Sequence, residues 1–354
     1  MAEATHDIQI NRLYKIFGPN GAAHVADVEA GMTKEELKAK HNHVLGLDDI
    51  TLTIPAGKIQ VVMGLSGSGK STLIRHINRL IEPTSGEVIF EDRDIVKMSQ
   101  TELRQFRREK TAMVFQKFAL FPHRTVLENT TYGLNIRGVG EKEAGERARR
   151  WISRVGLDGF EESYPNQLSG GMQQRVGLAR ALTNDAEILL MDEAFSALDP
   201  LIRTDMQSVL LDLQAELRKT IIFITHDLDE ALRLGDRIAI LRDGRIIQQG
   251  TGEQIVLRPA DDYISSFVRD VNRGHVISVR TIMRKGERAE TPVTLTATTL
   301  LEEAARAMTN AETNRANVVS RDGTHLGMIT LQKCVTEMIA PDDSEAVDPE
   351  VQVA

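Results

Sequence analysis

Three short stretches of the sequence combine residue types that suit phosphate chemistry. The first, residues 64–71, reads GLSGSGKS and satisfies the pattern G-x-x-x-x-G-K-S. Its glycines let the backbone curl so that successive N–H groups face phosphates, while Lys70 reaches the terminal phosphates and the Ser71 hydroxyl can bind Mg²⁺. A strand-like KIQVVM precedes the loop and a helix-like TLIRHI follows it. Because such a loop requires this context, the stretch predicts a nucleotide-binding P-loop.

The second stretch is an apolar run that ends in two carboxylates. Residues 188–191, ILLM, have the length and composition of a buried strand, and Asp192 and Glu193 follow directly. Adjacent carboxylates at the end of a buried strand cost free energy unless they hold a metal or take part in acid–base chemistry. We therefore expect a metal ligand or a general base at this end of the strand.

The third stretch is a glycine-rich turn followed by a helix. Residues 168–171 read LSGG, and Met172 to Leu182 combine apolar spacing with good helix formers. A helix N-terminus preceded by serine and glycine binds anions, because free backbone N–H groups and the helix dipole point at the same place. The turn is therefore predicted to contact a second phosphate group.

Two further polar residues follow predicted strands. His226 comes directly after the apolar run TIIFIT, residues 220–225, and Gln116 comes after MVF. A histidine in this position is more often structural, but here its strand is the third of parallel type, after the P-loop strand and the carboxylate strand. Since ligands bind at the carboxyl ends of parallel strands, a role at the nucleotide is favoured for His226. Gln116 by itself reads as a solvated loop residue.

The composition divides the chain into an expected main domain, residues 1–270, and a smaller module. Residues 18–43 are rich in alanine and charge and predict a helical insertion on the surface, while residues 117–182 are mainly helical. Residues 276–340 follow the order β-α-β-β-α. The tail, residues 341–354, carries five carboxylates and no base, which predicts disorder.

Bulk composition narrows the function further. The 354 residues carry a net charge of -8, with a pI of 5.7, which argues against a general nucleic-acid coat. Cys334 is the single cysteine, so an intrachain disulfide is excluded. No apolar run approaches the roughly 18 residues needed to span a bilayer, and the first residues lack the apolar core of a signal peptide. We expect a protein that is soluble or is attached to a membrane only through a partner.

The P-loop, Gln116, LSGGMQQR, ILLMDE, SALD and His226 occur in the order found in the ATP-binding subunit of an ABC transporter, which residues 8–270 resemble. The resemblance implies an α/β P-loop NTPase fold of the ABC ATPase type, with a parallel core sheet, an antiparallel β subdomain and a helical subdomain. The small module resembles a single CBS motif and adds an α+β unit at the C-terminus.

More narrowly, MGLSGSGKSTLIRHINRLIEPTSGEV and LLMDEAFSALDPLIRTDMQ resemble the quaternary-amine importers. Most of the wider family has proline after the catalytic glutamate, whereas this chain has Ala194 and Phe195, as that branch does. The resemblance implies an ATPase that powers import of glycine betaine, proline betaine or choline. It further implies two permease subunits, an extracytoplasmic substrate-binding protein and a location at the cytoplasmic face of the inner membrane.

The resemblance also implies roles for individual residues. Ser71, Gln116 and Asp192 would hold Mg²⁺, Glu193 would be the general base for the attacking water, and His226 would hold the γ-phosphate. Gln116 would also relay the state of the nucleotide to the permease. The P-loop residues implied on the nucleotide are Gly64, Ser66, Gly67, Ser68, Gly69, Lys70, Ser71 and Thr72.

Two implied contacts concern the adenine and a second subunit. Phe17 matches the aromatic residue that stacks on adenine, with Tyr14 as the alternative. The turn Ser169, Gly170 and Gly171 would contact the nucleotide of the other subunit, and Asp199 would communicate across that interface. One chain has two phosphate-binding turns but only one P-loop, so a head-to-tail homodimer would use all of them.

Two alternative functions compete with transport. The first is a soluble ABC ATPase acting on ribosomes or DNA, but the chain shows neither a second cassette nor a long coiled-coil insertion, and it is acidic. The second makes the C-terminal module a sensor for a regulatory nucleotide. Because only one CBS-like motif is present, a nucleotide site there would need two subunits, and a dimerisation or docking appendage is the plainer interpretation.

Overall fold

The computed structural model describes residues 6–116 and 118–339. The chain folds as two compact units, Met1–Thr251 and Gly252–Ala354. The predicted acidic tail, residues 341–354, lies outside the described residues. Within the described parts of the chain, no helix is both long and apolar enough to cross a membrane.

The strands of the first unit form two sheets. In chain order they are β1 (Ile8–Phe17), β2 (Val44–Ile54), β3 (Ile59–Met63), β4 (Ser85–Phe90), β5 (Arg93–Asp94), β6 (Thr111–Val114), β7 (Ile188–Asp192), β8 (Thr220–Thr225), β9 (Arg237–Arg242) and β10 (Arg245–Gly250). One sheet is antiparallel, with the order β2-β1-β4-β5, and the other has the order β10-β9-β3-β8-β7-β6. All neighbours in the second sheet are parallel except β10, which pairs with β9 in a hairpin.

The central strands of the parallel sheet are apolar because both of their faces are covered. Every residue of β3, β7 and β8 is buried, as expected for parallel strands between helices. The parallel arrangement brings the carboxyl ends of β3, β6, β7 and β8 to one edge of the sheet. The residues that follow these ends are therefore the ones that can meet in a site.

Helices of the first unit flank the sheets. They are α1 (Val25–Glu29), α2 (Lys34–His41), α3 (Lys70–Ile77), α4 (Gln100–Glu109), α5 (Val126–Ile136), α6 (Glu141–Arg154), α7 (Gly170–Thr183), α8 (Pro200–Leu217) and α9 (Leu228–Leu234). Helices α5, α6 and α7 pack on one another and make up the helical part expected over residues 117–182. The predicted combination of parallel core sheet, antiparallel sheet and helical region is thereby confirmed.

The insertion at residues 18–43 contains a short 3₁₀ turn, Gly21–His24, followed by α1 and α2. Helix α2 begins with a capping box, in which Thr33 Oγ1 accepts from the Glu36 N–H at 3.2 Å and Glu36 Oε2 accepts from the Thr33 N–H at 3.0 Å. Apolar residues hold the insertion against β1 and β2 in one cluster, formed by Tyr14, Ile16, Val28, Leu37 and Leu45.

The second unit begins earlier than residue 270, because two short helices belong to it. Its elements are α10 (Gly252–Leu257), α11 (Asp262–Val268), α12 (Val279–Ile282), β11 (Arg284–Lys285), β12 (Thr294–Thr296), α13 (Leu301–Asn310), β13 (Arg315–Val319), β14 (His325–Thr330) and α14 (Leu331–Met338). The Glu253 carboxylate in α10 accepts from the Ser278 N–H at 2.6 Å and from the Thr281 hydroxyl at 3.0 Å. Leu257 packs against the apolar core of the same unit.

The sheet of the second unit has the order β11-β14-β13-β12. Elements β12, α13, β13, β14 and α14 follow the predicted order β-α-β-β-α, which is confirmed. The edge strand β11 was not predicted, because its two residues, Arg284 and Lys285, are charged and exposed. A strand without buried apolar residues produces no apolar pattern in the sequence, so such a pattern cannot predict it.

Candidate functional site

The predicted P-loop connects β3, which ends at Met63, to α3, which begins at Lys70. The Lys70 ammonium lies across the loop and donates to the carbonyl oxygens of Gly64 at 2.8 Å and Leu65 at 3.0 Å. Burial lowers the pKa of Lys70, and the negative charges of Glu193 and Asp192 oppose this shift. The loop therefore holds a cation next to two carboxylates, in a position where phosphate oxygens could replace the carbonyl partners.

Two observations explain the residue types of the loop. Gly64 has φ 151°, and a Cβ there would lie 2.2 Å from the Leu241 carbonyl oxygen, so only glycine fits. The Ser68 hydroxyl is buried and has no hydrogen-bond partner. A buried polar atom without a partner costs free energy, and a phosphate oxygen in the loop would supply the missing acceptor.

Asp192 joins the carboxyl end of β7 to the first turn of α3. Ser71 Oγ donates to Asp192 Oδ1 at 2.7 Å, and Arg75 Nη2 lies 3.2 Å from Oδ2. Asp192 is 0% exposed, so the hydroxyl and the guanidinium are what make its burial tolerable. Oxygen donors of this kind suit Mg²⁺, and the hydroxyl and carboxylate already lie at hydrogen-bonding distance from each other.

Glu193 follows in an unusual backbone conformation. Its φ is 48°, in the left-handed region that residues other than glycine seldom adopt. The Glu193 N–H donates to the Ile224 carbonyl at 3.2 Å, and the Glu193 carbonyl accepts from the Ser196 hydroxyl at 2.9 Å. These bonds hold the turn that carries the Glu193 side chain. Strained residues held in this way concentrate at functional sites.

Gln116 and His226 meet the Glu193 carboxylate from the ends of neighbouring strands. Gln116 Nε2 donates to Glu193 Oε2 at 2.7 Å, and His226 Nδ1 lies 3.8 Å from Oε1. The Gln116 side chain, which read as a solvated loop residue in sequence, therefore shares a site with the carboxylate. The parallel order of β6, β7 and β8 is what brings the three residues together.

Phe17 and Tyr14 have different surroundings although three positions separate them in β1. Tyr14 is 3% exposed and packs in the apolar cluster of the insertion, whereas Phe17 is 39% exposed at the strand end. The Phe17 ring lies over Gly46, where a Cβ would be 2.6 Å from a ring carbon. The Gly46 carbonyl in turn lies against Gly69 of the P-loop, since a Cβ on Gly69 would be 2.7 Å from it. Phe17 is thus a partly exposed aromatic ring close to the predicted phosphate-binding loop, with the Lys15 ammonium 5.0 Å from its ring centre.

The glycine-rich turn is exposed at the start of α7. Ser169 caps this helix by accepting from the Met172 N–H at 3.3 Å, and Ser169 and Gly170 are both exposed. Among the residues that the structure describes, no hydrogen bond joins this turn to the P-loop of the same chain. Asp199 caps α8 in the same manner, accepting from the Ile202 N–H at 3.1 Å.

Two residues of the site were not predicted from the sequence. Arg75 pairs with Asp192, and its spacing of four residues from Ser71 could have indicated it, because the two share one face of α3. Gln174 is 2% exposed. Its amide donates to the Glu193 carbonyl at 3.4 Å and accepts from the Ala197 N–H at 3.3 Å. Gln174 thus connects α7 to the turn after β7 through hydrogen bonds. No local sequence pattern predicts that contact.

An apolar groove of about 370 Å³ lies between the end of β6 and helices α5 and α7. Phe115, the residue before Gln116, lines it together with Phe121, Tyr132 and Ile136. The Phe121 and Tyr132 rings pack at 4.4 Å, and the Arg124 guanidinium lies 4.8 Å from the Tyr132 ring centre. The groove therefore offers aromatic surface directly beside a residue of the site.

Comparison with known proteins identifies clear relatives. The sequence matches the ABC transporter family over residues 47–196 and the CBS domain over residues 279–340. The glycine betaine transport ATP-binding protein OpuAA of Bacillus subtilis is 55% identical over 280 residues, which cover 79% of this chain and 67% of that protein. The glycine betaine/proline betaine transport system ATP-binding protein ProV of Escherichia coli is 52% identical over 278 residues, covering 78% and 70%.

Solved structures agree with these matches. A dimeric structure of an ATP-binding cassette in a post-hydrolysis state, bound to ADP and Pi, has a TM-score of 0.61 and 32% identity. The structural alignment covers 69% of this chain and 98% of the solved chain.

Proposed function

This chain belongs to the family of ABC transporter ATP-binding proteins, and on that premise we propose that it is the ATP-hydrolysing subunit of an importer for a quaternary-amine osmolyte. Glycine betaine, proline betaine and choline are the candidate substrates. The observation that carries the ATPase part of the proposal is the convergence of Gln116, Glu193 and His226 beside the Ser71–Asp192 pair.

ATP and Mg²⁺ account for the remaining polar groups of this site. Gly64, Ser66, Gly67, Ser68, Gly69, Lys70, Ser71 and Thr72 would contact the phosphates. Ser71, Asp192 and Gln116 would hold Mg²⁺, which when bound supplies positive charge to the phosphate oxygens. Lys70 would add a second cation at the terminal phosphates, whose oxygens would replace its carbonyl partners in the loop.

Hydrolysis requires a water in line with the γ-phosphate and an acceptor for its proton. Glu193 would take that proton as the water oxygen attacks phosphorus and the bond to the ADP oxygen breaks. The Gln116 amide on Oε2 fixes the carboxylate and leaves Oε1 for the water. His226, near Oε1, would donate to the γ-phosphate. The chain thus positions the water and stabilises charge.

Replacing Phe17 by alanine is expected to weaken ATP binding about tenfold, since one aromatic–base stack contributes about 1–3 kcal/mol. Calorimetric titration of the purified chain with Mg-ATP measures the change. Tyr14→Phe is the matched control and should leave the affinity within about twofold, because Tyr14 lies in the apolar cluster. Equal ATP affinity in Phe17→Ala and the wild type would remove Phe17 from the adenine site.

A homodimer follows from the separation of the two phosphate-binding features. The exposed turn of Ser169, Gly170 and Gly171 would contact the nucleotide held by the partner's P-loop, with Asp199 at the same interface. The solved relative is itself a dimer. Binding of ATP would then join the two subunits, and hydrolysis would release them.

The permease would be contacted through the aromatic groove beside Gln116. Phe115 lines this groove and directly precedes Gln116. A movement of Gln116 on nucleotide binding would therefore shift Phe115 and change the groove. Two permease subunits would bind the homodimer and hold it at the cytoplasmic face of the inner membrane. An extracytoplasmic binding protein would deliver the solute, and nucleic acid has no part in the proposal.

The transport experiment uses the complete system reconstituted in vesicles, with the chain, its permease and its binding protein. Mg-ATP on the side of this chain is expected to drive uptake of radiolabelled glycine betaine, with unlabelled proline betaine and choline as competitors. Labelled histidine, an amino acid without a quaternary amine, is the control solute. ATP-dependent uptake of histidine with none of the three amines would contradict the substrate class and leave the ATPase assignment standing.

The C-terminal module would bind a regulatory nucleotide. Residues 279–340 match one CBS domain, and the homodimer would supply the second copy that a paired nucleotide site needs. A role in dimerisation or docking needs no ligand and agrees equally well with its apolar core.

A further inference from the structure

Three potential metal ligands converge in the insertion between β1 and β2, away from the P-loop chemistry. His24 ends the 3₁₀ turn, Asp27 lies in α1, and His41 is the last residue of α2. One ligand atom of each lies within 4.8 Å of those of the other two. His24 Nδ1 and Asp27 Oδ2 are 3.4 Å apart, and the His24 and His41 ring centres are 4.1 Å apart.

These distances suit a small tetrahedral ion. Ligand atoms 2.0–2.1 Å from zinc at tetrahedral angles lie roughly 3.3 Å from one another, and the His24–Asp27 separation matches this value. The His41 side chain is exposed at the end of α2. Binding of such an ion would require that side chain to rotate so that a ring nitrogen reaches the same spacing.

A fourth histidine supports the cluster without being a ligand. His43 is 6% exposed, with Nδ1 at 2.6 Å from the His41 carbonyl and Nε2 at 2.7 Å from the Pro19 carbonyl. Both of its nitrogens are therefore engaged by backbone oxygens. Through these bonds His43 holds the chain just after α2 against the loop after β1, and its ring packs 4.7 Å from that of His24.

We propose that His24, Asp27 and His41 form a binding site for a divalent transition-metal ion, with Zn²⁺ as the ion that it fits best. Two imidazoles and one carboxylate are common zinc ligands, and three protein ligands leave a fourth position for water. Mg²⁺ and Ca²⁺ prefer sites made only of oxygen, so this nitrogen-rich set discriminates against them. The site is independent of the ATPase assignment.

The ion would join the two ends of the insertion. His24 and His41 lie on opposite sides of the α1–α2 connection, and the apolar side of the same segment packs on β1 and β2 through Val28 and Leu37. An ion bound to the folded chain but not to the unfolded one raises stability in proportion to its occupancy. Zinc is thus expected to stabilise the insertion next to the strand that ends in Phe17.

Zinc binding is tested on the full-length chain after removal of metals with a chelator. Zn²⁺ is titrated in competition with a chromophoric chelator under saturating Mg²⁺, which occupies oxygen-only sites, and Co²⁺ is used as the visible-absorption probe. Cys334 is buried, and burial raises the pKa of its thiol to about 11, so that thiol does not compete. Wild type should bind one equivalent and show the intense absorption of tetrahedral Co²⁺.

The variants His24→Ala and His41→Ala should bind Zn²⁺ at least about 100-fold more weakly, because loss of a ligand exceeds the 10–100-fold cost of losing a ligand's supporting partner. His123→Ala, which removes an exposed histidine elsewhere in the chain, should match the wild type. Zn²⁺ should raise the melting temperature of wild type and His123→Ala only.

The variant Asp27→Asn keeps the shape of the side chain, so it tests zinc binding separately from any effect on folding. Melting curves in chelator should coincide for Asp27→Asn and wild type, while zinc affinity falls. Equal zinc affinity in the wild type and all three site variants would overturn the proposal, as would a wild type that binds no zinc under these conditions.

Discussion

Replacing Glu193 by glutamine is expected to lower ATP turnover by about 10²–10⁴-fold, the usual contribution of a general base. The change removes the proton acceptor but keeps the size of the side chain. The turn that holds Glu193 is built from backbone contacts with Ile224 and Ser196, so it should survive. ATP affinity should therefore stay within about threefold of the wild-type value, and the nucleotide should remain bound and uncleaved.

Phosphate release by the chain assembled with its permease measures turnover, and calorimetric titration measures binding. Glu187→Gln is the matched control, because Glu187 lies just before the opposite end of β7 and pairs with Lys110. It should change turnover by less than about threefold. Near-normal turnover in Glu193→Gln would contradict the assignment of Glu193 as the general base. Loss of ATP binding would instead place Glu193 among the residues that bind the nucleotide.

Replacing Lys70 by alanine should weaken ATP binding by about 10- to 100-fold, since hydrogen bonds to charged groups contribute about 1.5–3 kcal/mol. The Lys70 side chain is buried, its ammonium donates to the loop carbonyls, and it is the cation of the predicted P-loop. Lys58→Ala removes an exposed lysine just before β3 that pairs with Asp236, and ATP affinity should be unchanged there. Unchanged affinity in Lys70→Ala would contradict the P-loop assignment.

Mixing variants extends this result to the dimer. Gly170→Asp adds a negative charge at the exposed start of α7, where a Cβ has ordinary contact distances. At an ATP concentration that saturates only the wild type, Lys70→Ala and Gly170→Asp chains should each show little turnover alone, yet a mixture should regain it. In the mixed dimer, the intact P-loop of one chain meets the intact turn of the other. No recovery in the mixture would mean that the turn serves its own chain's nucleotide.

Much of the candidate site could be proposed from the sequence because the patterns that indicate it are local. The predicted P-loop depends on glycines, a lysine and a serine within eight positions, and the glycine-rich turn before α7 on a serine and two glycines. Backbone conformation and helix capping act over such distances, so residue spacing is enough to indicate them. The apolar runs of β3, β7 and β8 likewise predicted buried parallel strands, since both faces of these strands must be covered.

Other features depend on neighbours that are distant in sequence. Phe17 and Tyr14 are equivalent aromatics in a linear reading, and only packing separates an exposed ring from a buried one. The early start of the second unit depends on Glu253 bonding to Ser278. Neither the difference in burial nor this hydrogen bond can be predicted from residue spacing.

The sequence by itself determined the kinds of groups and their order along the chain: a glycine-rich loop with Lys70 and Ser71, paired carboxylates and a second glycine-rich turn. Only the tertiary structure decided which of them touch. Gln116 reaches Glu193, Arg75 neutralises Asp192, and His24 meets His41 across the insertion. The reason is physical: hydrogen bonds and charge compensation act over a few ångströms, and folding alone brings residues that are distant in sequence within that range.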